Sequence, residues 1–503
     1  MSTQPASPGD ASGKRSDNDR VRPVDDHIQP DDDHIDPANG RVSHGRVSPD
    51  ADHVHDVLIV GGGPSGSACA YWLAEAGWDV ALVEKKVFPR EKTCGDGLTP
   101  RAVRQLADMG LESSLTGAHR YEGLRAHAYG KVLDLPWPEH PSFPSYGYVI
   151  TRHDLDQIVN ERAEKAGAAV WQGTEAVAPI LADAPFGGGS GGGFRADEGS
   201  TAGATGSSAP RDRLTAHSLP ACVGAVVKDK ESGESREIRA RYVVVADGAN
   251  SRFGRMLGTG RNRNQPMGMA LRGYYRSPGH DQTYIESHLD IRDSDRNVVP
   301  GYGWIFPLGD GRVNVGVGLL STDRRWKGVN TSHLMDAFVA WAPKDWELSP
   351  ETCLGPPTGG KLPMGLSVGP HRGPTALLIG DAGGSINPFN GEGIAYGYET
   401  GRLAAASLGE ALSGDGEVAL ARYEQRLEDA YGLYYRVARA FIKMISQPEL
   451  MKVCVGTGMH SQSLMSWLLR IMANLLRPDE LGPAEAAYRV LATVAHTWPE
   501  PAA

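Results

Sequence analysis

At 503 residues, 40% of them hydrophobic, the chain is long enough to bury two or three domain cores, which excludes a small disulfide- or metal-stapled module. Its formal net charge of -10 argues against the concentrated basic face that nucleic-acid binding requires. The five cysteines, Cys69, Cys94, Cys222, Cys353 and Cys454, are scattered without CxxC spacing, so no disulfide framework, zinc site or iron–sulfur site is expected, in keeping with a reducing cytosol.

Residues 1–53 are rich in Asp, Pro, Ser, Gly and His without apolar spacing and read as a disordered tail. A solvated acidic segment explains His34 and His53 among their aspartates better than a metal site does. No charged segment with an apolar core behind it opens the chain, and no run of about 18 apolar residues occurs, so neither a signal peptide nor a spanning helix is expected. Residues 57–60 form an apolar strand, 61–66 a glycine-rich turn, 67–76 a helix and 80–84 a second strand, which together make a βαβ unit. Residues 154–166 read as a helix, 182–210 as a flexible glycine-rich insertion, 242–245 as a buried strand and 375–379 as another. Between 267 and 320 the pattern turns to alternation with aromatics, as in Gly301-Tyr302-Gly303-Trp304-Ile305-Phe306, predicting an antiparallel sheet and a second domain. Beyond 397 the chain reads as helical, over 403–412, 423–443 and 464–476. The last is strongly apolar but too short to span a bilayer; burial over a cavity and a position on a membrane surface, which would suit Trp467 and Arg470, both fit it.

The segment Asp56-Val57-Leu58-Ile59-Val60-Gly61-Gly62-Gly63-Pro64-Ser65-Gly66 sets Gly-x-Gly-x-x-Gly between strand and helix. Gly61 permits the tight turn, Gly63 lets the backbone approach a pyrophosphate, and Gly66 lets helix and strand pack closely. Pro64 and Ser65 complete the cofactor-binding turn, and the positive N-terminus of the helix that follows faces the phosphates. Glu84 ends the second strand as the acidic partner of a ribose hydroxyl. Two later segments, Val243-Val244-Val245-Ala246-Asp247-Gly248 and Leu378-Ile379-Gly380-Asp381-Ala382-Gly383, each end an apolar strand on an aspartate, which alone would be either a turn cap or a cofactor contact.

Together these motifs resemble the para-hydroxybenzoate hydroxylase type of flavoprotein. The resemblance implies FAD as cofactor, Asp247 and Asp381 beside it, and Arg152 as a further contact. It also implies that the Pro388-Phe389-Asn390-Gly391-Glu392-Gly393-Ile394 segment, through Gly391, Gly393 and Ile394, opens a helix facing the flavin pyrimidine. Backbone N–H groups there would stabilise the negative charge of reduced flavin. The expected fold class is α/β: a Rossmann-type FAD-binding domain, an antiparallel β-sheet substrate domain and a helical C-terminal region. Expected boundaries are 54–258 with 365–410 for the discontinuous FAD-binding domain, 259–364 for the substrate domain with a contribution from 120–148, and 411–503 for the helical region.

The segments Cys94-Gly95-Asp96-Gly97-Leu98-Thr99-Pro100 and Pro300-Gly301-Tyr302-Gly303-Trp304-Ile305-Phe306-Pro307 resemble the geranylgeranyl reductase family. In that family a Cys-Gly segment approaches the flavin ring and a Pro-x-x-Tyr-x-Trp-x-Phe-Pro stretch lines the substrate cavity. Residues 88–102 look most like the bacterial menaquinone reductases, and Asp96 stands where other members carry glycine. The resemblance implies Cys94, Gly95, Asp96 and Gly97 beside the cofactor, and Tyr302, Trp304 and Phe306 along a prenyl chain, with Cys94 either a proton donor or a packing residue. It implies saturation of an isoprenoid double bond of the menaquinone side chain by flavin hydride transfer plus protonation, with NAD(P)H or ferredoxin as electron donor. The expected setting is the cytoplasm or the inner face of its membrane. The alternatives are a geranylgeranyl diphosphate or prenyl-lipid reductase, a flavin monooxygenase or halogenase, and an electron-transfer flavoprotein donating to quinone.

Overall fold

The computed structural model describes residues 53–182, 218–299, 301–321, 329–445, 447–477 and 482–497; the expected tail up to residue 52 and the glycine-rich insertion from 183 onward lie outside them. The fingerprint strand Val54–Val60 sits inside a seven-stranded sheet ordered Ala169–Gln172, Val80–Glu84, Val54–Val60, Ser235–Val245, Cys222–Asp229, Thr174–Leu181, with Ala376–Leu378 paired to Ser235–Val245. Val57–Val60 runs parallel to Val80–Val83 on one side and to Tyr242–Val245 on the other. Buried on both faces, such strands are continuous apolar runs, which is why the sequence marks them.

The strand Ser235–Val245 shows why a sequence reading shortens some elements. Its first half alternates exposed and buried residues and pairs antiparallel with Cys222–Asp229, whereas Val243–Val245 are wholly buried and pair parallel with Ala376–Leu378. Only the second half, close to the expected 242–245, carries a strong apolar signal. The first helix, Pro64–Glu75, begins at the proline rather than at residue 67, as suits proline at a helix start. It is clamped between the sheet and the helix Ile394–Ser413, and a Cβ on Gly401 would collide with the Ser65 carbonyl.

A second seven-stranded sheet is ordered Thr358–Pro363, Met267–Arg276, Arg312–Leu320, Gly301–Pro307, Tyr284–His288, Gly123–Ala128, Lys131–Pro136. Every pairing is antiparallel except that of Tyr284–His288 with Gly123–Ala128. One face backs onto the helix Thr331–Trp341 through Phe338, Leu334 and Met335. The other turns toward the cavity described below.

The C-terminal region is helical. The expected 423–443 helix is two helices, Gly416–Leu427 and Leu433–Ile445, joined by a π-helical turn over Glu428–Gly432, and Asp415 caps its start by accepting from the N–H groups of Glu417 and Val418. The helices Pro448–Gly458 and Pro483–Thr497 fall in the expected helical region, which did not place them individually, and the apolar segment expected over 464–476 is the helix Gln462–Met472. Among the described residues no helix is long and apolar enough to cross a membrane.

Candidate active site

One cavity of about 930 Å³ runs from the fingerprint turn to the helix Gln462–Met472. At its first end the chain turns at Gly61, whose φ of 111° suits glycine, and a Cβ there would collide with the Ala246 carbonyl. A Cβ on Gly66 would strike the carbonyl of Gly61, so helix and strand pack backbone to backbone. A Cβ on Gly63, by contrast, would meet only Arg90 at 3.9 Å and would otherwise point into the cavity. Glu84 holds the turn, its Oε2 accepting from the N–H of Gly62 at 2.9 Å and its Oε1 from that of Lys86 at 3.0 Å.

Arg152 lines the cavity, but its guanidinium is committed to Asp156 one turn along its own helix, at 2.6 and 2.8 Å. Burial works against its charge; Asp156 outweighs that and keeps it firmly protonated. Arg90, which the sequence reading did not single out, reaches the same Asp156 at 2.8 Å, so two arginines share one buried carboxylate. Asp247 accepts from the N–H of Phe253 at 3.0 Å, the turn-capping role, while its Oδ1 is buried with no partner and the residue also lines the cavity. Asp381 borders the same space on the one-turn helix Gly380–Ala382, with burial pushing its carboxyl up.

Gly391, Gly393 and Ile394 form the cavity wall opposite. Gly391, with φ of 77°, closes the loop by donating its N–H to the Asn387 carbonyl at 2.9 Å. The helices starting at Pro64 and Ile394 both lack a side-chain cap, so their first N–H groups are left for a ligand. Two uncapped helix starts, the glycine contacts at the first turn and the partnerless Asp247 oxygen all fit a dinucleotide flavin.

Further along, Tyr302, Trp304 and Phe306 line the cavity from the strand Gly301–Pro307, and their register partners are Gly318, Gly316 and Asn314. The small residues make room: a Cβ on Gly316 would run into the Trp304 ring. Tyr302 donates its hydroxyl to the Asn390 carbonyl at 2.7 Å, and burial pushes its pKa up to about 12. Phe306 lies against Gly95 and Gly97. Between those glycines Asp96 takes a left-handed conformation, φ 64°, and is fully buried. Its Oδ2 accepts from the Tyr274 hydroxyl at 2.6 Å and from Asn314 Nδ2 at 2.8 Å. Burial pushes its pKa up to about 6 against these donors. Burial also pushes the Cys94 thiol up, against the adjoining Arg152. Asn314 and Tyr274 escaped the sequence reading; the one usable signal was a polar Asn314 inside the otherwise apolar run Val313–Val317.

Beyond these residues the wall turns apolar. Leu124, Leu135, Trp137 and Ile285 line it from the sheet side, and Met465, Leu468, Leu469 and Met472 close it from the helix Gln462–Met472. That helix therefore covers the cavity with one face, while Leu464 on another face is 44% exposed.

Residues 54–184 and 212–271 match the FAD binding domain family. The menaquinone reductase of Mycolicibacterium smegmatis is 36% identical over 84% of this chain and 93% of its own length. A digeranylgeranylglycerophospholipid reductase of Methanopyrus kandleri is 29% identical over 78% of this chain and 87% of its own. Among solved structures, a geranylgeranyl bacteriochlorophyll reductase-like protein from Thermoplasma acidophilum superposes with a TM-score of 0.63 at 22% identity, covering 87% of this chain and 96% of that one.

Proposed function

The chain belongs to the flavoprotein family of the menaquinone and geranylgeranyl-type reductases, an FAD-dependent group acting on carbon–carbon double bonds, and on that premise we propose that it saturates an isoprene unit in the side chain of a menaquinone. The observation that carries this reading is the continuity of the cavity, polar and glycine-lined at one end and apolar beneath Met465 and Leu469 at the other, with Cys94 and Trp304 at the join. A long prenyl tail is the kind of substrate such a tunnel buries, each enclosed CH₂ contributing about 0.8 kcal/mol.

FAD, when bound, supplies a hydride to the alkene. Gly61, Gly63, Pro64, Ser65 and Gly66 cradle its pyrophosphate and Glu84 its ribose; Asp247, Asp381, Arg152 and the Gly391–Gly393–Ile394 turn hold the rest, with Gly95, Asp96 and Gly97 against the ring. Residues 54–258 and 365–410 thus form the cofactor unit, and 259–364 with 120–148 the substrate unit. Tyr302, Trp304 and Phe306 exclude water and set ring faces along the chain, where they stabilise positive charge developing on the alkene carbon. Cys94, kept a neutral thiol by burial, shapes the join without being the sole acid.

Exposed Leu464 on the covering helix and Val453 on the helix Pro448–Gly458 suit contact with the cytoplasmic membrane surface, where the quinone resides. Electrons are assigned to an NAD(P)H or ferredoxin donor. Mass spectrometry of the quinones from cells with and without the protein tests the reading: a tail heavier by the added hydrogens is expected only with it. An unchanged quinone pool would remove menaquinone as the substrate.

A further inference from the structure

Saturation of an alkene by hydride leaves one proton to be supplied, and the acidic groups that line the cavity beside the aromatic strand include Tyr302, Asp96, Cys94 and Glu392. The Tyr302 hydroxyl is committed to the Asn390 carbonyl. Asp96 Oδ1 is also buried with no partner and burial pushes the carboxyl up to about 6, but two donors on Oδ2 tie the side chain to fixing the Cys94–Gly97 segment. Burial keeps Cys94 a neutral thiol despite the adjoining Arg152, so its proton is held too tightly to be handed on readily near neutral pH. Glu392 is different.

Glu392 stands in the loop between Gly391 and Gly393. Its N–H donates to Asn390 Oδ1 at 3.0 Å and its carbonyl accepts from the N–H of Asn387 at 2.9 Å, so the backbone is fixed from both sides. Its Oε1 is in very short contact with the Thr99 hydroxyl, and its Oε2 is buried with no partner. An ionised carboxylate would leave a charged oxygen bare; a proton on the group, at the Oε1 facing Thr99, removes that buried charge. Thr99 and Glu392 both line the cavity, together with Tyr121 of the apolar stretch.

We propose that Glu392 stores the proton for alkene saturation and that the Thr99 hydroxyl delivers it. The inference rests on the reading of the chain as an isoprenoid reductase. In the step, the C=C π bond breaks as one carbon takes the hydride from reduced FAD. The Thr99 hydroxyl turns from Glu392 Oε1 to the other carbon and gives up its proton there, while its oxygen takes the proton held on Glu392 Oε1. The alkene is reduced, FAD is oxidised and Glu392 is left as a carboxylate, to be reprotonated from water.

The electrostatics suit the role. Burial pushes Glu392 up to about 7, with Glu399 raising it further and the Thr99 hydroxyl and Arg101 pulling it down. The other ionisable neighbours are Tyr396 and Tyr121, both kept neutral by burial. Arg101 is itself neutralised by Glu399 at 2.7 Å, so little positive charge is left over to ionise Glu392.

The test uses the FAD-loaded protein with a prenylated quinone, comparing wild type with Glu392→Gln, Thr99→Val and Thr99→Ser at equal FAD content. Turnover is expected to fall by about 100-fold or more in Glu392→Gln and Thr99→Val and to be largely retained in Thr99→Ser. The wild-type loss of rate as pH rises through neutrality is expected to vanish in Glu392→Gln. Infrared titration, with and without FAD, is expected to show a protonated carboxyl band near neutral pH that Glu392→Gln lacks. Should Glu392→Gln lose FAD, Glu392→Asp replaces it, with a displaced pH limb expected. Wild-type turnover and an unchanged pH limb in Glu392→Gln, or the absence of the band, would overturn the proposal. A wild type that saturates no isoprenoid would sink the substrate reading, and the proton step with it, whatever the band shows.

Discussion

Asn314 Nδ2 stands 2.8 Å from Asp96 Oδ2, and this one buried amide joins the substrate sheet to the Cys94–Gly97 segment. The same nitrogen reaches the Cys94 carbonyl at 2.9 Å, while Asn314 Oδ1 accepts from Trp304 Nε1 at 2.9 Å. The side chain that orients Trp304 is therefore also the one that holds the Cys94–Gly97 segment.

Replacing Asn314 by leucine keeps the volume but leaves Trp304 Nε1, the Cys94 carbonyl and part of Asp96 without partners. A loss of about 2–3 kcal/mol in urea unfolding is expected, since each buried group left unpaired costs roughly 1–3 kcal/mol and some relaxation offsets it. An unfolding midpoint equal to that of the wild type would mean that the network is not satisfied in solution.

Gly63 and Gly66 separate cofactor binding from folding. A Cβ on Gly66 meets backbone, so Gly66→Ala is expected to lower the stability of the apoprotein itself. A Cβ on Gly63 meets chiefly cavity space, so Gly63→Ala is expected to fold normally and bind FAD at least tenfold more weakly, about 1.4 kcal/mol. Apoprotein melting and flavin titration of the two variants read this directly; tight FAD binding by Gly63→Ala would move the pyrophosphate elsewhere.

Much of this was legible in the sequence because parallel strands buried on both faces are apolar runs and because the glycine spacing of the first turn admits few structures. The aromatic strand was legible too, since alternation puts Tyr302, Trp304 and Phe306 on one face. What faces them was not. Gly316 and Asn314 matter only because the neighbouring strand sets them opposite Trp304 and Phe306, a pairing that local pattern does not encode. Glu392 was visible as a letter in a loop, but its bare oxygen arises from burial beside Thr99, nearly three hundred residues away.

On the far face of the substrate sheet Glu286 lies between His127 and His288, whose rings stack at 4.3 Å. Burial alone would raise Glu286, but the hydrogen bond from His288 and the two adjoining imidazoles outweigh it and take the carboxyl down to about 2. A carboxyl depressed in the folded state contributes stability above its unfolded value, near 4.3, and loses it as pH falls toward about 2. Burial also lowers His288, so its contribution is lost as pH falls from about 6.5. The melting temperature is expected to fall in both windows, and Glu286→Gln to flatten the lower one. An identical slope below pH 4 in that variant would show that the pair does not govern acid stability.

Met465 and Leu469 close the apolar end of the cavity from the helix Gln462–Met472, whereas Cys94 and Trp304 sit at the join with the cofactor cradle. Tail length and chemistry should therefore separate in a Met465→Trp variant. The added ring occupies the tunnel and displaces the distal isoprene units, each worth several buried CH₂ groups at about 0.8 kcal/mol apiece. KM for a long-tailed quinone is expected to rise at least tenfold while a quinone with only one or two isoprene units is reduced at nearly the wild-type rate, with FAD content unchanged. Equal losses on long and short tails would place the chain along another path, and an unaffected long-tailed substrate would mean that the tail leaves the cavity before it reaches this helix.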